Sequence, residues 1–274
     1  MKYEELSGLR IPKIGFGTWS IGGKSSADPA SDAKSLSALR SALDLGYTHF
    51  DTAEIYANGH AEELLGEAIR ASGRKREDLL ITSKVAPEHL GYEDVLKACT
   101  RSLHRLGVDY LDIYLVHWPN PLIGLEDTFP ALNKLVQEGK VKHIGVSNFK
   151  IKMLKRAQEL CDTPIITNQV PYNLPDRSYA ENGVLDYCQQ NNILLTAYSP
   201  VKFRNVKVNS TLKAIAVDHS ASSFQIALAW LIEQARVITI PMSFDPVHQK
   251  ENLLAAEIEL SPDEIEQLNN LYSR

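Results

Sequence analysis

The stretch Gly46-Tyr-Thr-His-Phe-Asp-Thr-Ala-Glu-Ile-Tyr56 decides how the rest of the chain reads. Tyr47 to Phe50 is a short run of β-forming residues, a strand that delivers Asp51 at its end. Tyr56 follows in the next loop, ahead of the small and polar residues Ala57-Asn-Gly-His60. A carboxylate at a strand tip with a phenol close behind invites partners on neighbouring tips, and two are present. Lys84 closes Asp78-Leu-Leu-Ile-Thr-Ser-Lys84, and His117 closes Leu111-Asp-Ile-Tyr-Leu-Val-His117. A lone strand-end Asp is an ordinary turn former and a lone Lys an ordinary solvated tip. Four titratable groups at equivalent places on three successive strands point to one shared site.

Outward from that stretch the chain alternates strands and helices. Leu6 to Pro12, with Gly8 between short apolar pieces, reads as an N-terminal hairpin. Ile14–Trp19 is the first core strand, and Ser35 to Leu45 carries apolar residues at helical spacing. Ala61, Leu64, Leu65, Ala68 and Ile69 form the next amphipathic face. The pattern repeats with strands at 79–83, 111–116, 141–146, 165–167, 193–197 and 237–240. Helices lie near 95–106, 125–137, 151–159, 179–189, 212–217 and 223–234, and two more (246–256 and 262–272) finish the chain. Ser261-Pro262-Asp263-Glu264 is a strong helix start. Eight mostly apolar strands alternating with helices predict an α/β (β/α)8 barrel over residues 1–274, a single domain with extra C-terminal helices. A doubly wound sheet would want a glycine-rich turn leading straight from the first strand into a helix. Gly15-Phe-Gly17-Thr-Trp-Ser20 lacks the third glycine and is followed by a long loop.

With 274 residues, 44% of them hydrophobic, the chain can bury a large core, and its length suits one barrel. A net charge of −5 without long runs of one sign gives no support for nucleic-acid or anionic membrane binding. Cys99, Cys161 and Cys188 form no metal-ligand pattern, and their odd number argues against a disulfide framework; the first two read as buried thiols. The N-terminus has no apolar signal region, and no apolar run reaches 18 residues, so a soluble, cytoplasmic protein is expected.

Barrel enzymes build their sites at the C-terminal ends of the strands. Here those ends carry Trp19 or Ser20, Asp51, Lys84, His117, Ser147-Asn148, Asn168-Gln169, Tyr198-Ser199 and Met242-Ser243. Free tyrosine and lysine titrate near 10, so neither alone suits proton transfer at neutral pH. An ammonium against the phenol favours phenolate and should lower the Tyr56 pKa; Asp51 keeps Lys84 charged; His117 can orient a carbonyl oxygen or relay the proton. The set makes a general-acid site for a carbonyl oxygen, with no nucleophile, metal cluster or phosphate loop competing. A second reactant must come from elsewhere.

The chain resembles the aldo-keto reductases over nearly its whole length. The resemblance rests on residues 46–56, Glu62-Glu-Leu-Leu-Gly-Glu-Ala-Ile69, residues 106–119, Gly139-Lys-Val-Lys-His-Ile-Gly-Val-Ser-Asn-Phe149 and Ala197-Tyr-Ser-Pro200. It implies a (β/α)8 barrel that moves hydride between a nicotinamide and a carbonyl, with Asp51, Tyr56, Lys84 and His117 as catalytic tetrad and Tyr56 as proton donor. It implies further that Ser147, Asn148 and Gln169 hold the carboxamide, that Tyr198 stacks on the nicotinamide, and that Ser199 neighbours the pyrophosphate. Trp19, Trp118 and, more weakly, Tyr92 would wall the substrate pocket; core packing is the plain alternative for each.

One departure stands out. The family usually carries Ile-Pro-Lys-Ser after the last strand and an arginine six residues beyond the lysine, both gripping the 2′-phosphate of NADPH. This chain has Ile240-Pro-Met242-Ser243, with His248 at the arginine position, while Glu251 and Asn252 match the adenine-facing pair. NADP(H) is the cofactor by family pattern, and the lost cations make NAD(H) usable, unless Lys202, Arg204, Lys250 or a protonated His248 restores the grip. The chain stops at Arg274 directly after a helix, and the segment 200–208 is short. Both features suggest an open pocket for aldehydes, ketones, sugars or keto acids. The expectation is a monomeric reductase of small carbonyl compounds with no metal. The alternatives are an NAD-dependent alcohol or sugar dehydrogenase, and a non-enzymatic nucleotide-binding regulatory subunit.

Overall fold

In the computed structural model, which describes residues 1–201 and 209–272, a hairpin comes first. Strands β1 (Tyr3–Leu6) and β2 (Leu9–Pro12) pair antiparallel, with Leu6 opposite Leu9. Eight parallel strands follow: β3 (Phe16–Gly17), β4 (His49–Asp51), β5 (Leu80–Val85), β6 (Leu111–Val116), β7 (Val141–Ser147), β8 (Thr167–Pro171), β9 (Leu194–Tyr198) and β10 (Val237–Thr239). Each lies beside its neighbour in chain order. The sheet closes on itself where Ile14 bridges Thr239: Gly15 N–H donates to Thr239 O at 2.8 Å and Thr239 N–H to Lys13 O at 2.8 Å. This seam is tight. A Cβ on Gly17 would stand 2.6 Å from the Ile240 carbonyl oxygen, which is why glycine is needed there.

Helices α1 (Asp32–Asp44), α2 (His60–Ser72), α3 (Tyr92–Leu106), α4 (Leu125–Gln137) and α5 (Ile151–Leu160) wrap the first strands. They are followed by α6 (Ser178–Glu181), α7 (Val184–Gln190), α8 (Ser210–Asp218), α9 (Ser223–Glu233), α10 (Pro246–Leu254) and α11 (Pro262–Asn270). Helix α9 is buried all round from Ile226 to Ile232, because later segments cover the face it turns from the barrel. Ser222 and Ser261 both make reciprocal capping boxes, with Gln225 and Glu264. The predicted hairpin is present, and it plugs the base of the barrel: Leu6, Leu9 and Ile11 pack there against Ile113, Leu115, Ile166, Leu194 and Ile238.

Several boundaries differ from expectation; the first core strand, expected at Ile14–Trp19, is Phe16–Gly17, with Ile14 joined to the last strand by an isolated bridge. The sixth barrel strand runs from Thr167 to Pro171, not from Ile165 to Thr167, because its inner face carries the polar Gln169 and hydrophobicity alone stops too early. The helix expected at 179–189 is broken in two at Gly183, whose φ of 80° no helix accommodates. Lys202 and Arg204 lie outside the described residues. Cys99 and Cys188 are buried, whereas Cys161, expected to be buried, is only half-buried at the end of α5; all three are free thiols. No single helix among the described residues is long and apolar enough to cross a membrane.

Candidate active site

A cleft of about 530 Å³ opens at the C-terminal ends of the strands, lined by Trp19, Asp51, Tyr56, His117, Trp118, Ser147, Asn148, Gln169, Tyr198, Ser199 and Met242 among the residues singled out above. Asp51 ends β4 and Lys84 lies in β5, their neighbouring backbones in register, so both side chains project upward into the same small volume. The Lys84 ammonium is fully buried and donates to Asp51 Oδ1 at 2.5 Å, to the Thr52 carbonyl at 2.8 Å and to the Tyr56 phenol oxygen at 3.1 Å. Asp51 Oδ2 accepts from Gln169 Nε2 at 2.8 Å, across the barrel. With its oxygen accepting from Lys84, Tyr56 keeps its own proton free to be aimed into the cleft.

Burial pushes the Tyr56 pKa up, and the Lys84 ammonium pulls it down less than burial and Asp51 raise it. The expected lowering by lysine is therefore real as a contact but loses to desolvation, and the phenol stays protonated. Burial opposes the charge on Lys84, yet Asp51 and Tyr56 together raise its pKa, so the ammonium is retained. His117 is pushed down to about 3 by burial and by Lys84. It is a neutral imidazole, its ring 5.7 Å from that of Tyr56. Such a ring can donate one N–H to a carbonyl oxygen, but it carries no relay proton at neutral pH.

How Tyr56 gets there is unusual. Beyond it, Ala57 and Asn58 take left-handed φ angles of 49° and 56°, and Gly59 follows at 92°. Ser20, Asn148 and Ser199 are left-handed as well. Each such non-glycine residue costs about 1–3 kcal/mol and persists where the surroundings over-determine it. Here Ala57 N–H donates to Lys24 O at 2.7 Å, and the Arg105 guanidinium lies so close that a Cβ on Gly59 would meet its Nε at 2.7 Å. Arg105 is itself tied to the fully buried Glu62, whose other oxygen accepts from Ser83 Oγ at 2.5 Å.

The opposite wall is built from amides and hydroxyls. Ser147 Oγ donates to Gln169 O at 2.8 Å; Asn148 Nδ2 donates to Ser147 Oγ at 2.9 Å; Tyr198 OH donates to Asn148 Oδ1 at 3.0 Å. Ser199, left-handed, has its carbonyl held by Asn173 Nδ2 at 3.0 Å. Trp19 and Trp118 line the mouth, both about half exposed, and Trp19 meets Tyr56 edge-on at 5.1 Å. Tyr92 packs against the barrel core outside the cleft.

Farther along, Met242 lines the cleft, and Ser243 Oγ accepts from Asp245 N–H at 3.0 Å. His248 and Glu251 sit on α10, His248 exposed with Nδ1 4.0 Å from Asp245 Oδ2. Asn252 is buried beside the Tyr47 hydroxyl, away from the cleft lining. Two residues that sequence reasoning missed belong here. Asp245 accepts from Val247 N–H as the N-cap of α10, a role its position before Pro246 signals. Lys34 of α1 sits with its ammonium 4.7 Å above the Phe244 ring, a long-range meeting that no local pattern announces.

Among known proteins, the model of the aldo/keto reductase family matches residues 13–273. The methylglyoxal reductase YeaE of Escherichia coli is 38% identical, covering 99% of this chain and 95% of that protein. The glyoxal reductase of Bacillus subtilis is 36% identical, covering 97% and 90%. A thermostable aldo-keto reductase solved with the inhibitor epalrestat superposes with a TM-score of 0.94 at 44% identity, over 99% of this chain and 100% of that one. An aldo/keto reductase from Klebsiella pneumoniae, solved with NADP and acetate, superposes with a TM-score of 0.87 at 37% identity, over 97% and 93%.

Proposed function

The chain belongs to the aldo/keto reductase family and is an oxidoreductase; from that premise we propose that it reduces small, uncharged aldehydes, α-oxo aldehydes first among them. Tyr56 is the proton donor in this reading. One observation carries it: a half-buried, protonated phenol whose oxygen accepts from a buried ammonium at 3.1 Å, in a cleft walled by two tryptophans. The names of the Escherichia coli and Bacillus subtilis relatives support the substrate class.

The opposite wall fits a nicotinamide. Ser147, Asn148 and Gln169 offer amide and hydroxyl groups to a carboxamide, and Tyr198 offers an aromatic face half-open to the cleft. A bound nicotinamide supplies the hydride that no side chain here can provide. The protein's part is to orient and to protonate. Neutral His117 donates to the substrate carbonyl oxygen and fixes it near Tyr56. As negative charge grows on that oxygen, Tyr56 gives up its proton, and the Lys84 ammonium stabilises the phenolate left behind. Asp51, held by Gln169, keeps Lys84 charged and aimed. General acid catalysis of this kind is worth about 10²–10⁴-fold.

At the adenosine end, Met242 and His248 stand where the family pattern has cations, and the exposed Asp245 carboxylate adds negative charge between them in sequence. Each missing charge-assisted phosphate contact is worth about 1.5–3 kcal/mol. The reading is that NADH and NADPH are both used, with a preference for NADPH of no more than about tenfold. Titrating the purified protein with NADPH and with NADH, then following methylglyoxal reduction with each, tests both parts. Comparable affinities with turnover support the reading. A strong NADPH preference overturns the cofactor part, and tight binding without turnover of any carbonyl compound or alcohol overturns the enzymatic one.

A further inference from the structure

We infer that Glu54 is a positioning residue that locks the Tyr56 segment to the Lys84 segment, and so sets the phenol–ammonium geometry on which proton donation depends. The inference rests on the reading of Tyr56 as proton donor. Glu54 lies two residues before Tyr56 and does not line the cleft. Its side chain is only 5% exposed, yet the carboxylate meets three donors. Oε1 accepts from Ala86 N–H at 2.7 Å and faces His89 Nδ1 at 3.0 Å; Oε2 accepts from Arg101 at 3.4 Å. Its backbone N–H donates to the Lys84 carbonyl at 3.3 Å.

These bonds join three segments that build the cleft. Ala86 directly continues the strand that carries Lys84. The turn at residues 87–89 is bonded in turn by Asn120 Nδ2, which donates to Pro87 O at 2.8 Å, in the loop that begins at His117. His117 N–H donates to Val85 O at 3.1 Å. Glu54 is thus the side chain that fastens the Tyr56 loop to the stretch between Lys84 and His117. It does so ahead of the phenol in sequence, while Arg105, one turn beyond Arg101 on α3, packs against Gly59 after it. Three left-handed residues follow Tyr56, and a loop in that conformation relaxes once it is held on one side only. A buried carboxylate with half-exposed partners that only stabilised the fold could sit anywhere. This one spans the segments whose relative placement sets the 3.1 Å contact between Lys84 and Tyr56.

The test compares Glu54→Ala, Glu54→Gln and Tyr56→Phe with the parent enzyme in methylglyoxal reduction. For Glu54→Ala the expected fall in kcat is about 10- to 100-fold, the scale of a displacement of about 1 Å. Cofactor affinity, set by the far wall, stays within about twofold. The alkaline limb of the kcat profile moves upward in pH, because a phenol drawn away from the ammonium loses the group that eases its ionisation. Glu54→Gln keeps an acceptor for Ala86 N–H and recovers kcat to within about threefold of the parent. If Glu54→Ala does not fold, Arg101→Met loosens the same clamp from α3 and is expected to lower kcat about 3- to 10-fold with the same limb shift. Unchanged kcat and an unmoved pH limb in the folded variants overturn the inference while Tyr56→Phe remains inactive. Full activity in Tyr56→Phe overturns the underlying reading instead.

Discussion

Lys13 and Lys84 are both buried lysines paired with carboxylates, one at the base of the barrel and one at its mouth. At the base, the Lys13 ammonium donates to Ile232 O at 2.7 Å and Gln234 O at 2.9 Å and pairs with Glu4 Oε1 at 2.9 Å. Arg236 binds the other oxygen of Glu4 at 2.7 Å, so the base is a closed fastener between the hairpin and β10. At the mouth, Lys84 has the same count of partners, but the third is the Tyr56 phenol rather than a carbonyl. That single exchange separates a lysine fit only to fasten from one fit to serve proton transfer. A carbonyl oxygen only accepts, whereas a phenol can release a proton and leave a charge that the ammonium steadies.

Removing each ammonium should break the comparison cleanly. Lys84→Met is expected to lower kcat about 10²-fold or more in steady-state reduction, since the developing phenolate loses its partner. Lys13→Met should leave kcat per folded molecule unchanged and cost about 3 kcal/mol in denaturant unfolding, near the lower limit for breaking a buried pair because Arg236 still serves Glu4. Loss of kcat in Lys13→Met, or its retention in Lys84→Met, would erase the distinction.

Acid should sharpen it by a smaller effect. His117 and His49, held down to about 3 and about 4 by burial, are neutral in the folded barrel. The unfolded chain takes up protons on both below pH about 6.5 while the folded one does not, so stability falls as pH falls. At pH 5 this amounts to about 2 kcal/mol for each histidine, read by urea unfolding at pH 7 and 5. At the base the window is lower. Burial alone would raise the Glu4 pKa, but Lys13 and Arg236 hold it below its usual value. The stability it contributes is present above pH about 4.5 and is lost only beneath it. Flat stability between pH 7 and 5 would contradict the burial of the two histidines.

The same contrast explains what was legible in the sequence. Apolar strand runs gave all eight barrel strands in order, and the strand-end positions of Asp51, Lys84 and His117 marked the cleft, because period and position are local properties. β8 was misplaced because its residues serve the cleft: Gln169 reaches Asp51 across the barrel, and Asn168 bonds both the N–H and the carbonyl of Phe149, so polarity interrupts the run. Glu54 and Lys34 went unseen since their partners, Ala86, Arg101 and Phe244, are distant in the chain. The direction of the Tyr56 shift was hidden for a related reason. Motif spacing shows which charges meet, but only the packed cleft shows how much water they have lost.

Proton donation by Tyr56 is tested most directly by the rate of methylglyoxal reduction in Tyr56→Phe, measured beside its NADPH affinity. The expected result is a fall of about 10²–10⁴-fold in kcat with binding of the nicotinamide cofactor preserved, because the phenol supplies only the proton. A variant that binds the cofactor and still turns over at the parent rate would show that the proton comes from another group and that the Lys84–Tyr56 pair is no more than a second fastener.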